Sequence, residues 1–268
     1  VPASLTLSRT TRPTAATPDG GERRDIGGVG VAVLSRGAAL AELSNAMTAR
    51  RHVKLAFCNA NLVNMAAGDP ALLRLLSGFL VLSDGIGVDI ASRLLYGAPF
   101  PANLNGTDFI PALLDAEPRS LSVALLGAKP GVAERAAQAL AQRYPRHTFR
   151  VLGDGFFDAS REAAMLDGLK ANPPDLLLVA LGNPRQERWI AEKLGPEHAA
   201  VAAGVGALFD FLAGEVPRAP EAWRRARLEW LYRLWREPGR LWRRYILGNP
   251  LFLLRLLRQR IRTGRTPR

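Results

Sequence analysis

The feature that most restricts the fold of this chain is an alternation of two apolar patterns between residues 38 and 203. Short apolar runs give way repeatedly to longer stretches in which apolar residues recur every three or four positions. Runs of the first kind suit buried strands, and stretches of the second kind suit amphipathic helices. The predicted strands are 53–58, 79–83, 121–127, 148–152, 176–181 and 199–203. The predicted helices are 38–50, 86–95, 132–143, 161–170 and 184–194. Strands that alternate with helices are joined by crossovers, which makes the sheet mostly parallel and the fold class α/β, with helices flanking the sheet. At 268 residues and 48% hydrophobic content the chain can fill one large core and carry an appendage.

Several predicted strands end in glycine-containing turns: Ser83-Asp84-Gly85, Gly127-Ala128-Lys129-Pro130-Gly131, Gly182-Asn183-Pro184 and Gly204-Val205-Gly206. Ligands of open parallel sheets bind outside the carboxyl ends of the strands, so these turns are expected to converge on a site. After Pro220 the pattern becomes helical only. Segments 223–235, 240–247 and 251–261 are arginine-rich and amphipathic, and Leu228, Leu231 and Leu234 share one face.

Charge follows the same division. Residues 218–268 contain 15 Arg, no Lys and 3 Glu, which equals the whole chain's net charge of +12. A neutral body with a basic end implies a polyanionic surface as partner, either anionic lipid or nucleic acid. The longest apolar run in this region, 251–257, is interrupted by Arg255, so contact with a membrane is expected to be peripheral. A tail exposing Leu and Trp could also drive self-association into a homo-oligomer. Residues 1–26 are rich in Thr, Pro, Ala and Arg and lack the roughly 7–15-residue apolar core of a signal peptide. The expected organisation is a disordered tail over 1–27, a core over 28–217 and a basic amphipathic appendage over 218–268. A single cysteine, Cys58, provides no disulfide framework, which suits a reducing cytoplasm, and Cys58 itself reads as a small buried apolar residue.

Each motif has a chemical and a structural reading. The turn starting at Gly127 opens a helix whose N-terminal N–H groups could hold a diphosphate, or it is an ordinary strand-helix turn. Asp84, at the end of a strand, suits a general base taking a proton from a hydroxyl, or an N-cap for the next helix. Asn59, Asn61, Asn103, Asn105 and Asp108 carry the amides and carboxylates that a sugar's hydroxyls require, although turn chemistry explains such residues more often. Gly182 and Gln186 belong to Gly182-Asn183-Pro184-Arg185-Gln186-Glu187, either a capped helix start or a polar wall of the site. His52, His147 and His198 show no metal-ligand spacing, and the chain has no Asp-x-Asp. A diphosphate here would therefore take its counter-charge from protein cations, and arginines of the tail can bind phosphate in a bidentate way.

Together these segments resemble the WecG/TagA/CpsF glycosyltransferases, glycosyltransferase family 26, from about Gly28 to Gly248. The resemblance rests on Asn59-Ala60-Asn61, Asp84-Gly85-Ile86-Gly87, Asn105-Gly106-Thr107-Asp108, Leu125-Leu126-Gly127 and Leu181-Gly182-Asn183-Pro184-Arg185-Gln186-Glu187. It continues through Gly204-Val205-Gly206-Ala207-Leu208-Phe209-Asp210, Arg218-Ala219-Pro220, Leu228-Glu229-Trp230-Leu231-Tyr232-Arg233-Leu234 and Glu237-Pro238-Gly239-Arg240. It implies a Rossmann-like core, a UDP-sugar donor, a polyprenyl-diphosphate-linked acceptor and inversion at the anomeric carbon. It also implies no metal or other cofactor, and an appendage that reaches the inner face of the cytoplasmic membrane and completes the active site. Carried over by motif, Asp84 matches the catalytic base, Arg233, Arg240 and Arg243 match arginines that contact the diphosphate, and Gln186 and Asp210 match residues near the nucleotide.

Two positions depart from the N-acetylmannosamine-transferring members, which usually have Arg where Asn103 stands and often Thr near Phe57. Asn59-Ala60-Asn61 and Asn103-Leu104-Asn105-Gly106 are more similar to the exopolysaccharide branch, including xanthan-type β-1,4-glucosyltransferases. That likeness favours UDP-glucose as donor, with UDP-N-acetylmannosamine and UDP-glucuronate as alternatives. Readings from other classes are a nucleotide-dependent oxidoreductase or epimerase, disfavoured by the missing Gly-x-Gly-x-x-Gly, and a basic nucleic-acid-binding protein. The family resemblance implies no nucleic acid.

Overall fold

The computed structural model describes residues 21–225 and 228–264. Its centre is a six-stranded, all-parallel sheet with strand order β4-β3-β8-β7-β5-β6. The strands are β3 (Val53–Cys58), β4 (Leu80–Ser83), β5 (Ser122–Gly127), β6 (Thr148–Gly153), β7 (Leu176–Ala180) and β8 (Val201–Gly204). β1 (Arg23–Ile26) and β2 (Val29–Ala32) form a separate antiparallel hairpin. The predicted strands and the α/β class are all present, with ends shifted by one or two residues.

Because both faces of the sheet are covered, its strands other than edge strand β6 are largely apolar on both sides. Val53, Leu55 and Phe57 of β3 enter one core cluster with Leu176 and Leu178 of β7, while Ala56, Cys58, Leu177 and Val179 enter the other. The first face carries α1 (Arg36–Thr48), α5 (Gly106–Ala116), α6 (Val132–Arg143) and α9 (Leu208–Leu212). The second carries α2 (Ala60–Ala67), α3 (Pro70–Leu76), α4 (Ile86–Tyr96), α7 (Ala159–Ala171) and α8 (Arg185–Lys193).

The division of the chain needs correction at its first boundary. The core begins earlier than residue 28: the expected tail over 1–27 includes strand β1, whose Arg23 and Ile26 are buried. Arg23 donates to the carbonyl of Phe79 at 3.0 Å, and Gly27 and Gly28, both at positive φ, make the two-residue turn of the hairpin. Residues 1–20 of that tail lie outside the described residues.

At the other end the appendage is helical as expected: α10 (Glu221–Arg225), α11 (Glu229–Arg236), α12 (Pro238–Trp242), a π-helical turn (Arg243–Leu247) and α13 (Gly248–Thr263). Part of predicted segment 223–235, residues 226 and 227, lies outside the description. Yet α13 is docked on the core. Phe252 and Leu256 are buried against α2 and α4. Asn64 of α2 donates to the carbonyl of Gly248 at 2.7 Å, and Gln259 accepts from Gly27 N at 2.9 Å and donates to the carbonyl of Asp25 at 3.0 Å.

Candidate active site

The carboxyl ends of the strands open into two neighbouring cavities. One contains Asp84 and lies over β3, β4 and β8, with a volume of about 400 Å³; the appendage closes it through Glu229, Trp230, Arg233, Arg244 and Tyr245. The other lies over β5, β6 and β7 and is lined by Ala128, Lys129, Gly155, Arg185, Asp210 and Arg236, among others, with about 440 Å³. Consecutive residues of α9 face different cavities, Asp210 one and Phe211 the other. On α11, Arg233 and Arg236, one turn apart, divide in the same way. The two cavities therefore adjoin across α9 and α11.

Asp84 follows β4 directly, and its N–H donates to the carbonyl of Cys58 at the end of β3, at 2.8 Å. It does not cap α4. The N-cap of that helix is Gly85, whose φ of +91° suits glycine and which makes no capping side-chain bond. The Asp84 carboxylate instead accepts from Asn59 Nδ2 at 3.1 Å. Burial raises its pKa above the ordinary value, and the Asn59 bond, Arg244 and Arg233 oppose this in that order. A half-buried carboxylate held at a sheet edge, more basic than a surface Asp, has the properties of a general base.

The asparagines make capping and turn bonds and also line the cavity. Asn59 caps α2, its Oδ1 accepting from Asn61 N and Leu62 N, while its Nδ2 orients Asp84. Asn105 caps α5 and donates to Asp108 at 2.9 Å, and Asp108 pairs with Arg218 at 2.9 Å. Asn103 Oδ1 accepts from Gly85 N at 2.8 Å and fixes the turn behind Asp84. Asn59, Asn61, Asn103, Asn105 and Asp108 all line the Asp84 cavity.

Gln186 also lines this cavity and is buried. Its Oε1 accepts from Gly206 N at 3.1 Å and its Nε2 donates to Glu187 at 2.8 Å. Glu187, behind it, accepts as well from Asn183 Nδ2 at 2.6 Å, and burial pushes its pKa up to about 7. Gly182 lines neither cavity; its carbonyl accepts from Gln186 N at the start of α8. Gly127 leads into the second cavity through Ala128, but its own place is set by packing. A Cβ there would come within 2.5 Å of the Ala180 carbonyl oxygen, so β5 and β7 could not close up. The three histidines bond to backbone groups: His52 to Ala199, His147 to Leu121 and Leu114, and His198 to Gly195.

The arginines need one revision. Arg233 lines the Asp84 cavity with its guanidinium against the Phe211 ring. Arg243 does not line it: it is exposed and stacks on Trp242 at 5.4 Å, and Arg244, the next residue, takes its place. The reason is local. The chain passes into a π-helical turn at Arg243, where the wider winding changes which side chains share a face. Arg240 lies in α12, but its side chain lies outside the described residues. Among those residues Arg233 and Arg244 make no ion pair, and the Nε of each is buried without a hydrogen-bond partner. Sequence reasoning also missed Glu229, a cavity residue whose pKa burial raises, and Arg218, 3.9 Å from it.

Comparison with known proteins identifies the family. The profile of the family described as "Glycosyl transferase WecG/TagA/CpsF family" matches residues 24–266. The chain is 36% identical over 183 residues to the N-acetylglucosaminyldiphosphoundecaprenol N-acetyl-beta-D-mannosaminyltransferase of Bacillus spizizenii, covering 68% of this chain and 69% of that protein. It is 34% identical over 188 residues to the enzyme of the same name in Staphylococcus aureus, covering 68% and 73%. By its fold and by the span of that profile, the chain belongs to the WecG/TagA/CpsF family of glycosyltransferases.

Proposed function

We propose that the protein transfers N-acetylmannosamine, with inversion, from its UDP-sugar to a polyprenyl-diphosphate-linked N-acetylglucosamine. The observation that carries this is Asp84, a carboxylate of raised basicity in a cavity that also presents two arginines free of ion pairs among the described residues. Asp84 takes the proton from the acceptor hydroxyl. The oxygen then attacks the anomeric carbon from the face opposite the leaving group, and UDP departs with the bonding electron pair. Arg233, beside the partition between the cavities, stabilises the charge that develops on the diphosphate, a role worth several kcal/mol in preorganised sites. The nucleotide occupies the second cavity, near Asp210 and the turn that follows Gly127, and the sugar reaches across α9 toward Asp84. Arginine supplies the positive charge a metal would otherwise bring, so turnover is expected to survive EDTA.

The donor assignment differs from the UDP-glucose favoured by sequence. That preference drew on Asn103 and Phe57, and both have structural tasks here. Asn103 holds the Gly85 N–H, and Phe57 packs on Phe109 with ring centroids 6.2 Å apart and against Gly106, where a Cβ would come within 3.0 Å. Neither residue then argues for glucose, and the likeness to the glucosyltransferase branch gains no support from the two relatives, whose names favour N-acetylmannosamine.

We place residues 218–268 on an anionic membrane surface. No helix among the described residues is long and apolar enough to cross a membrane. Trp235, Ile246, Leu247, Leu251 and Leu254 are exposed among the arginines, which suits an interfacial position.

The test is UDP release with the polyprenyl-diphosphate acceptor across UDP-N-acetylmannosamine, UDP-glucose and UDP-glucuronate, with and without EDTA, for wild type and Asp84→Asn. Turnover with the first donor, reduced about 10²–10⁴-fold in the variant, is expected. Preference for UDP-glucose would overturn the donor, undiminished turnover in Asp84→Asn the base, and loss in EDTA the metal-free chemistry.

A further inference from the structure

Resting on the acceptor reading above, we propose that the wall between α4 and α13 is a subsite for the acceptor's prenyl diphosphate. Arg244 holds the diphosphate, and Ile86, Ile90 and Leu253 hold the first isoprene units.

The acceptor is linear: reacting hydroxyl, sugar, diphosphate, lipid. With its hydroxyl at Asp84, its remaining parts must leave through a region that turns from polar to apolar, and the cavity changes in this way toward α13. Arg244 stacks on Tyr245 at 5.4 Å, and the Tyr245 ring lies 5.6 Å from that of Trp230. Beyond them Ile86 and Ile90 of α4 and Leu253 of α13 complete the lining.

Two further observations favour a lipid as occupant. Ile90 and Leu253 line the cavity and yet stay 44% and 42% exposed, so the apolar wall opens at the surface instead of closing into the core. Leu253 also begins a stripe with Leu257 and Ile261, four residues apart each time and all exposed, which continues about 12 Å along α13. A water-soluble acceptor would gain nothing from such a path. The charges divide accordingly. A ternary complex contains two diphosphates: Arg233 stands against Phe211 at the partition toward the nucleotide chamber, and Arg244 stands on the α13 side. The buried Nε of Arg244, without a partner among the described residues, offers a donor there.

The experiment compares two acceptors with the same sugar diphosphate, one carrying farnesyl and one carrying methyl, in buffer without vesicles or detergent. Burying even part of an isoprene unit predicts a kcat/KM preference for farnesyl of about tenfold or more in the wild type. In Ile90→Ser/Leu253→Ser that ratio is expected to fall toward one, and in Ile90→Val/Leu253→Ile to be retained. A ratio near one in the wild type, or an unchanged ratio in the serine variant, overturns the subsite. Binding of farnesyl diphosphate itself, without sugar or donor, is measured in parallel by calorimetry. Binding by the wild type that is weakened in the serine variant supports the subsite even if no acceptor turns over, an outcome that would count against the proposed function alone. Absence of farnesyl diphosphate binding by the wild type would overturn the subsite directly.

Discussion

The pKa of Asp84 is set by opposing influences. Burial and the nearby Asp108 raise its pKa, while Asn59, Arg244 and Arg233 lower it, and the outcome is upward. A base works only when deprotonated, so turnover should fall with decreasing pH at a higher pH than an ordinary Asp, near 3.9, would allow. Arg244→Gln removes one lowering charge and is expected to move the acid limb of the kcat/KM profile further up, which a pH-rate comparison would detect. Glu187 gives a stability prediction. Its pKa is pushed up to about 7 in the folded protein, from about 4.5 when exposed. The native state therefore binds its proton more tightly, and the associated stability is present below about pH 4.5 and lost as pH rises toward and through 7. The linkage amounts to about 3 kcal/mol at most. Glu187→Gln should flatten the dependence of thermal midpoint on pH between 5 and 8; an unchanged slope would mean that Glu187 is ionised in the native state throughout.

At the level of elements, the appendage depends on one helix. Phe252 of α13 is buried beside Gly87 of α4, where a Cβ would lie 3.7 Å from its ring. Removing a buried Phe side chain typically costs about 3–5 kcal/mol. Because α13 packs as a separate element, Phe252→Ala is expected to release the appendage before it melts the sheet. Proteolysis within 228–248 should accelerate and activity should fall while the core's unfolding midpoint changes less. Which elements could be read from sequence follows from the same packing. The strands were readable because a sheet covered on both faces demands largely apolar runs, interrupted here only by Lys54 in β3 and by Arg150 in the less buried edge strand β6. The hairpin was missed because its first strand is polar in sequence, Arg23-Arg24-Asp25, and its second is only four residues long, even though Gly27-Gly28 is a two-residue turn signal. Helices α2 and α3 went unassigned because they are short, and α5 because Pro111 lies inside it. In the site, Asp84, Asn59 and Asn61 follow strand ends and could be located, while Asn103 and Asn105 were legible only as turn residues before α5. The exchange of Arg243 for Arg244 could not, because it follows from a π-helical turn that no residue pattern announces.

For the whole molecule, placement of charge and apolar surface predicts membrane behaviour. The +12 excess belongs to the segment that also exposes Trp235, Ile246, Leu247 and Leu251. Binding to vesicles containing anionic lipid should weaken from low to physiological salt, since the attraction is screened beyond about 8–10 Å, and retain an apolar component at higher salt. Co-sedimentation at several ionic strengths would measure both components; equal binding to neutral vesicles would remove the electrostatic one.

The clasp between Gln259 and the first hairpin also bears on how the protein is made. It joins residues 232 to 234 positions apart, so it forms only after α13 has left the ribosome, when the sheet and hairpin are already available. Arg233 and Arg244 belong to the same late segment, so a nascent chain whose sheet is finished still lacks them over Asp84, and chains truncated before α11 should accumulate as folded but catalytically silent protein.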